Sequence, residues 1–327
     1  MSRATESAAG GPDWIGPLFA VVGVLGFSFK SILIKLAYAW APIDALTLLT
    51  LRMAYSAPMF LAMALFARGR ATAPVGRRDW LQILWLGFTG YYLASLVDFM
   101  GLEYVSAALE RLMLYLYPTI VVVLSAIFLR QRITGRIIVA LVLSYAGIVL
   151  VFGRDLTLAG DPHALLYGGA LVFASAVLYA VYLVGAGPVI ARLGSLRFIA
   201  LAMLTSSVFI FVQFAATRRA ADLAAPLDIQ ILALAMAIFS TVLPTYLVAE
   251  AIKRMGANRT SLLGSLGPLF TIGLGYWLLA EAVTLVQLAG AALVLAGVLL
   301  VTLRPARRTA LTRLDDSPVG SAAKKLQ

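Results

Sequence analysis

Residues 101–151, GLEYVSAALERLMLYLYPTIVVVLSAIFLRQRITGRIIVALVLSYAGIVLV, align with residues 251–301, AIKRMGANRTSLLGSLGPLFTIGLGYWLLAEAVTLVQLAGAALVLAGVLLV, at a shift of 150 and without a gap. Twelve of the 51 positions are identical, among them Pro118/Pro268 and Gly147/Gly297. Leucine identities come easily in so apolar a chain; a proline pair and a glycine pair at one register do not. Around this repeat, ten segments approach or exceed the about 20 mostly apolar residues that a spanning helix needs: 15–38, 43–66, 80–100, 106–128, 134–152, 164–187, 195–216, 228–250, 260–279 and 284–303. They are apolar on all sides, which suits helices in lipid rather than half-buried strands. Each repeat holds five of them, and an odd number makes the second copy enter from the opposite side. The expected fold is an all-α membrane protein with ten transmembrane helices in two inverted five-helix repeats.

Composition agrees. The chain has 327 residues, 62% hydrophobic and 13% charged, with a mean hydropathy of +0.95; soluble domains average about 45–50% apolar and about 25% charged. There is no cysteine, which excludes disulfides, thiolate nucleophiles and Cys-based metal sites. A single histidine, His163, leaves little for zinc or a histidine base. No Walker A motif is present, so no cofactor, no metal and no ATP-driven step is expected. Ala37-Tyr38-Ala39 looks like a signal-peptidase site, but the apolar run before it exceeds the roughly 7–15 residues of a signal h-region, and the repeat needs this helix.

The net charge of +11 is largely a topology signal. With the N-terminus in the cytoplasm, 19 of the 26 Lys and Arg residues fall on the inner side, three (Arg154, Arg218, Arg219) fall outside, and four (Lys30, Lys35, Arg52, Arg111) lie within helices. That bias fits the positive-inside rule, with both termini cytoplasmic in a multi-pass protein of the inner membrane. The basic face can meet anionic lipid headgroups; no nucleic-acid partner is expected. The sequence carries no signal for oligomeric state. The organisation expected is a cytoplasmic segment 1–13, a first repeat 14–152, an outer linker 153–163, a second repeat 164–303 and a disordered cytoplasmic tail 304–327, where Asp315-Asp316 reads as solvated charge. The loop between the third and fourth helices carries Glu103 and no Lys or Arg, whereas its counterpart carries Lys253, Arg254 and Arg259. The two copies therefore place equivalent loops on opposite faces. Inverted repeats in a membrane point to a secondary transporter with its site near the midplane.

At this point the chain resembles the EamA-type transporters of the drug/metabolite transporter superfamily. The resemblance rests on SLVDFMGLEYVSAALERLMLYLYPTIVVVLSAIFLRQRI in the first repeat and AIKRMGANRTSLLGSLGPLFTIGLGYWLLAEAV in the second, and it covers about 14–303. It implies export of metabolites, amino acids or drugs. It also implies a glutamate after the fourth helix of each repeat; Glu281 is that residue in the second, and Gln131 replaces it in the first.

A charge at mid-helix costs about 2.5–3.5 kcal/mol on the insertion scale, so Lys30, Arg52, Asp98, Glu110 and Arg111 are the candidates for function. Hairpin geometry puts Lys30 level with Arg52 and Asp98 level with Glu110 and Arg111. At +150 their counterparts are Ala180, Ala202, Val248, Thr260 and Ser261, none of them charged. Charges needed only for packing would recur in both copies. Lys30, Arg52, Glu110 and Arg111 are thus candidates to bind substrate, the cations suiting an anionic solute, and Asp98 and Glu110 are candidates to couple transport to a proton or other ion gradient. The bland alternative is that they fasten helices, Asp98 to Arg111 and Lys30 or Arg52 to Glu110. Tyr55 shares a helix face with Arg52, and Tyr117 with Glu110; these and Tyr179 are candidate substrate contacts. Pro118 and Pro268 can kink the fourth and ninth helices and expose carbonyls to a cavity, which makes them candidate gating points. Glu250 and Asn258 read as caps of the hairpin between the eighth and ninth helices. The expected function is secondary transport, with export of a small amino acid-like or other carboxylate-bearing metabolite or a drug-like compound by alternating access. The alternative is an integral-membrane transferase acting on a lipid-linked substrate, which would need a carboxylate–metal cluster or a histidine–carboxylate pair that the chain lacks.

Overall fold

The computed structural model describes residues 14–68, 74–128, 130 and 133–302. The tail, with Asp315-Asp316, and Gln131 lie outside the described residues, as does the Asn258 side chain. Ten helices are long and apolar enough to cross a membrane: α1 (Ile15–Trp40), α2 (Ala45–Ala67), α3 (Arg77–Gly101), α4 (Ala107–Phe128), α5 (Gly135–Leu158), α6 (Pro162–Leu193), α7 (Ser195–Thr217), α8 (Leu227–Met255), α9 (Arg259–Leu279) and α10 (Leu285–Thr302). No strand occurs among the described residues. Large apolar side chains face outward, such as Val149, Leu227 and Leu285, as lipid contact requires. Trp14, Trp40, Trp80 and Trp277 are exposed near helix ends, where amphipathic rings sit at the headgroup level.

Two boundaries differ from the sequence expectation. Gly153-Arg154-Asp155 continues α5 to Leu158 instead of forming a turn; a charged end can run on past the hydrocarbon core while its backbone bonds remain intrahelical. Helix α6 runs on to Leu193, with Pro188 inside it, and ends at Gly194 in a left-handed conformation (φ +80°) that glycine adopts without strain. Its start is set by Asp161, whose carboxylate accepts from the His163 and Ala164 amides, with Pro162 at the first helical position. His163 is therefore an exposed first-turn residue.

The interruptions of the helices follow the 150-residue shift. A π-helical segment spans Phe88–Leu93 in α3 and Ile238–Val242 in α8; such segments insert an extra residue into the helical ladder. Helix α4 breaks between Leu114 and Tyr117, and α9 between Gly264 and Gly267, each just before its proline. Proline has no N–H for the carbonyl four residues back and its ring collides with it, which accounts for both breaks. Arg130 and Ala280, also 150 apart, both have φ of 53°.

Packing repeats the pattern. Helix α1 packs on α8 and α9, while α6 packs on α3 and α4; α2 packs on α7 and α5 on α10. Exchanging the two halves maps this set of pairs onto itself. The α5–α10 seam is the tightest. A Cβ on Gly297 would lie 2.5 Å from the Ala140 carbonyl oxygen, and one on Gly290 would lie 2.8 Å from that of Gly147. Small residues allow this close backbone approach in lipid. One apolar core joins α1, α2, α3, α7 and α8, and a second joins α4, α5, α6, α9 and α10.

Candidate functional site

The five candidate charges come from four helices of the first half and converge. Lys30 of α1 reaches Asp98 of α3 at 2.5 Å and Glu110 of α4 at 3.2 Å. Glu110 is fully buried, Asp98 is 2% exposed, and the Lys30 side chain is 18% exposed. Ser106 caps α4 by accepting from the Leu109 amide, so Glu110 falls in the first turn, where the helix dipole favours a negative charge. Asp98 and Glu110 thus meet through one ammonium group. Yet Asp98 Oδ1 and both Glu110 oxygens have no hydrogen-bond partner.

The two arginines flank this triad without meeting a carboxylate. Arg52 of α2 is 5% exposed. It donates from Nη2 to Ser95 Oγ at 3.5 Å and lies 4.8 Å from the centroid of the Phe99 ring. Asp98 is in its electrostatic field, but no ion pair forms. Arg111 of α4 is 8% exposed, donates from Nη2 to Ser28 Oγ at 3.4 Å and lies 5.7 Å from the centroid of the Tyr115 ring. The Nε of each guanidinium is buried and unpartnered. Three cations thus face two carboxylates, and Lys30 takes both carboxylates. The Asp98–Arg111 fastening entertained from sequence does not form; Lys30–Glu110 does.

Tyr117 and Tyr179 come together edge to face at 5.2 Å, within the field of Arg111. The contact continues through Tyr182 to Tyr91, whose hydroxyls are 3.0 Å apart. Tyr55 points elsewhere, donating to Gln230 of α8 at 2.7 Å. Pro118 and Pro268 sit at the two helix breaks. The Gly264 carbonyl, deprived of a partner by Pro268, accepts the Tyr115 hydroxyl, and Gly267 O accepts from Ser28 at 3.1 Å. Glu281 accepts from the Ala107 amide at the start of α4 at 3.0 Å, so it joins the two halves at a helix N-terminus. Glu250 pairs with Lys253 and Arg254 rather than capping a helix. Among the described residues, no group of three or more His, Asp or Glu side chains is placed to hold a metal.

Sequence reasoning did not find Ser28, Ser95 and Phe99. Ser95 lies three residues before Asp98 on the same helical face, a spacing that could have flagged it. Ser28 is two residues from Lys30, and nothing in its spacing marks it.

The chain matches the EamA-like transporter family over residues 14–153 and again over 166–303. It belongs to that family. It is 31% identical over 301 residues to the uncharacterized transporter YcbK of Bacillus subtilis (strain 168), covering 89% of this chain and 91% of the relative. An uncharacterized transporter of Archaeoglobus fulgidus is 27% identical over 224 residues, covering 68% and 78%. A solved crystal structure superposes with a TM-score of 0.61 at 20% identity, covering 92% of this chain and 99% of the other, a likeness of fold. The EamA-like chain described here is a multi-pass membrane transporter, and a small-molecule substrate follows from that family.

Proposed function

We propose that this EamA-like protein is a secondary transporter that exports a small carboxylate-bearing metabolite, such as an amino acid, across the inner membrane by alternating access. The observation that carries this reading is the pair of buried guanidiniums, Arg52 and Arg111, neither of which has a carboxylate partner. A buried cation without a counter-ion is costly, and a bound carboxylate supplies what both lack, with the bidentate geometry that guanidinium favours. Lys30 is already engaged by Asp98 and Glu110, so it serves the coupling group rather than the solute. Asp98 and Glu110 share one lysine, so a proton taken up by either changes the hold of both on it. Protonating one would loosen Lys30 and leave the cluster more positive, which favours anion binding; losing the proton reverses both. A proton gradient is thereby tied to the solute through differential binding to the two states. Tyr117 and Tyr179, which meet edge to face, serve as further solute contacts, and the breaks at Pro118 and Pro268 are where α4 and α9 flex. The 150-residue recurrence of breaks, π segments and helix pairings supports two repeats, 14–152 and 164–303, joined by an outer linker and rocking against each other.

A radiolabelled panel of amino acids and monocarboxylates in proteoliposomes, with and without a pH gradient, tests this. Arg52→Gln and Arg111→Gln should each weaken half-saturation about ten- to hundredfold, the loss of one charge-assisted hydrogen bond of roughly 1.5–3 kcal/mol. Glu110→Gln should leave flux that no longer responds to the pH gradient. Unaltered flux in all three folded variants removes the site, and turnover of a lipid-linked substrate without vectorial movement removes the transporter reading.

A further inference from the structure

The contacts between Arg111 and the break in α9 suggest more than packing. The Gly264 carbonyl has lost its intrahelical partner to Pro268, and the group that satisfies it is the Tyr115 hydroxyl from the other half of the molecule. Tyr115 itself stands at the break in α4. The two broken helices therefore meet at their interruptions, through one hydroxyl. Gly267 is the notch that admits it: a Cβ there would lie 2.2 Å from the Tyr115 hydroxyl oxygen. The Arg111 guanidinium lies over the Tyr115 ring, and its Nη2 donates to Ser28, whose one hydroxyl proton is shared between Val24 O at 2.9 Å and Gly267 O at 3.1 Å. One cation thus touches the break in α9 by two routes, through a ring and through a serine. The other tyrosines of the cluster differ. Tyr117 and Tyr179 contact neighbouring rings, not a helix break.

We infer that Tyr115 is a positioning residue that latches the break in α9 to the break in α4 and carries the state of Arg111 to that hinge. The inference rests on the proposed anion site for the role of Arg111. A solute carboxylate that engages the guanidinium draws it from the Tyr115 ring and from Ser28. The hydroxyl is then free to leave Gly264 O, and the two segments of α9 move relative to each other. In the absence of solute the latch holds the conformation seen.

The chain has no native cysteine, so one engineered thiol can report on the hinge. Thr271, fully buried just beyond Pro268, is suited to Thr271→Cys, and Ala202→Cys on α7, also fully buried, serves as a reference. The full chain in detergent is labelled with a water-soluble maleimide, with no solute present. Tyr115→Phe removes only the hydroxyl and should speed labelling at position 271 by about tenfold, the scale of one lost hydrogen bond, without changing labelling at 202. Arg111→Gln should speed it in the same direction, and Tyr117→Phe, the same chemical change on a neighbouring ring, should not. Equal labelling of Tyr115→Phe and its parent overturns the latch. Equal acceleration at 202, or with Tyr117→Phe, also overturns it, since the chain would then have loosened as a whole. Unchanged labelling in Arg111→Gln alone overturns the link from the anion site. Because no solute is present, the latch can fail while anion transport stands, and the flux panel can fail while the latch stands.

Discussion

At the scale of single residues, charge placed in an apolar helix is the most informative signal in this chain. Glu110 and Arg111 are adjacent in sequence but point to different partners, Glu110 to Lys30 and Arg111 to Ser28 and Tyr115. Neighbours in a helix diverge by about 100°, so adjacency in sequence never implied a pair. The sequence shows which residues are expensive in lipid, and these do converge. It does not show which cation meets which carboxylate, because that depends on helix rotation and side-chain length rather than on depth. The same limit explains Tyr55, which has the right spacing from Arg52 and yet bonds to Gln230. Just before α2, Asp44 illustrates a residue whose role is local. Its carboxylate accepts from the Leu46 and Thr47 amides and the Thr47 hydroxyl and pairs with Arg218 of the other half at 3.3 Å. Burial pushes its pKa up, but the hydrogen bonds from Thr47 and Arg218 outweigh this and hold it below the ordinary value. A depressed pKa means stability present above the unfolded value and lost as pH falls through the folded one. Thermal melting of the wild type should therefore drop between neutral and acid pH more than that of Asp44→Asn. Asparagine caps a helix as well as aspartate does, so at neutral pH the variant should lose only the exposed pair with Arg218, about 0.2–1 kcal/mol.

At the scale of elements, prolines and caps were legible and π segments were not. Pro118 and Pro268 predict interruptions for a covalent reason, and both interruptions occur. The segments at Phe88–Leu93 and Ile238–Val242 carry no equivalent mark, since an extra residue in a helix is decided by the neighbours it must clear. A Cβ on Gly90, for instance, would lie 2.3 Å from the Tyr182 ring. The ends of α5 and α6 lie beyond the apolar runs 134–152 and 164–187, because helices also extend past the hydrocarbon core. Pro268→Ala restores the missing N–H, gives the Gly264 carbonyl an intrahelical donor and competes with Tyr115 for it. Flux should fall several-fold while thermal stability is held or raised, since an interior proline costs a helix about 3 kcal/mol. Retained flux with a lowered melting point would show that the break serves packing alone.

At the scale of the whole molecule, the repeat and the positive-inside bias carry the architecture. Both act over long stretches, where small preferences add. The absence of cysteine makes the orientation directly measurable. With Ala224→Cys in the connection between α7 and α8, a membrane-impermeant thiol reagent should label intact cells. With Gly76→Cys before α3, it should label only after the membrane is opened. The reverse pattern would place both termini outside and reverse every loop assignment.

The charge cluster has one further consequence. Two copies related by exchange could swap roles as the protein turns between its faces, and the open forms would then be energetic mirror images. Here Lys30, Arg52, Asp98, Glu110 and Arg111 all belong to one copy, while Ala180 and Ala202, at two of the equivalent places in the other, are fully buried. With the proposed solute site at this cluster, the barrier met from one compartment would be built from different atoms than the barrier met from the opposite one. At equal concentrations and without a gradient, net flow is still zero, as equilibrium demands. The half-saturation and maximal rate measured from each side need not match; only their ratio must. The molecule is a near-symmetric frame carrying an unsymmetric load, and direction-dependent kinetics is the expected mark of that mismatch.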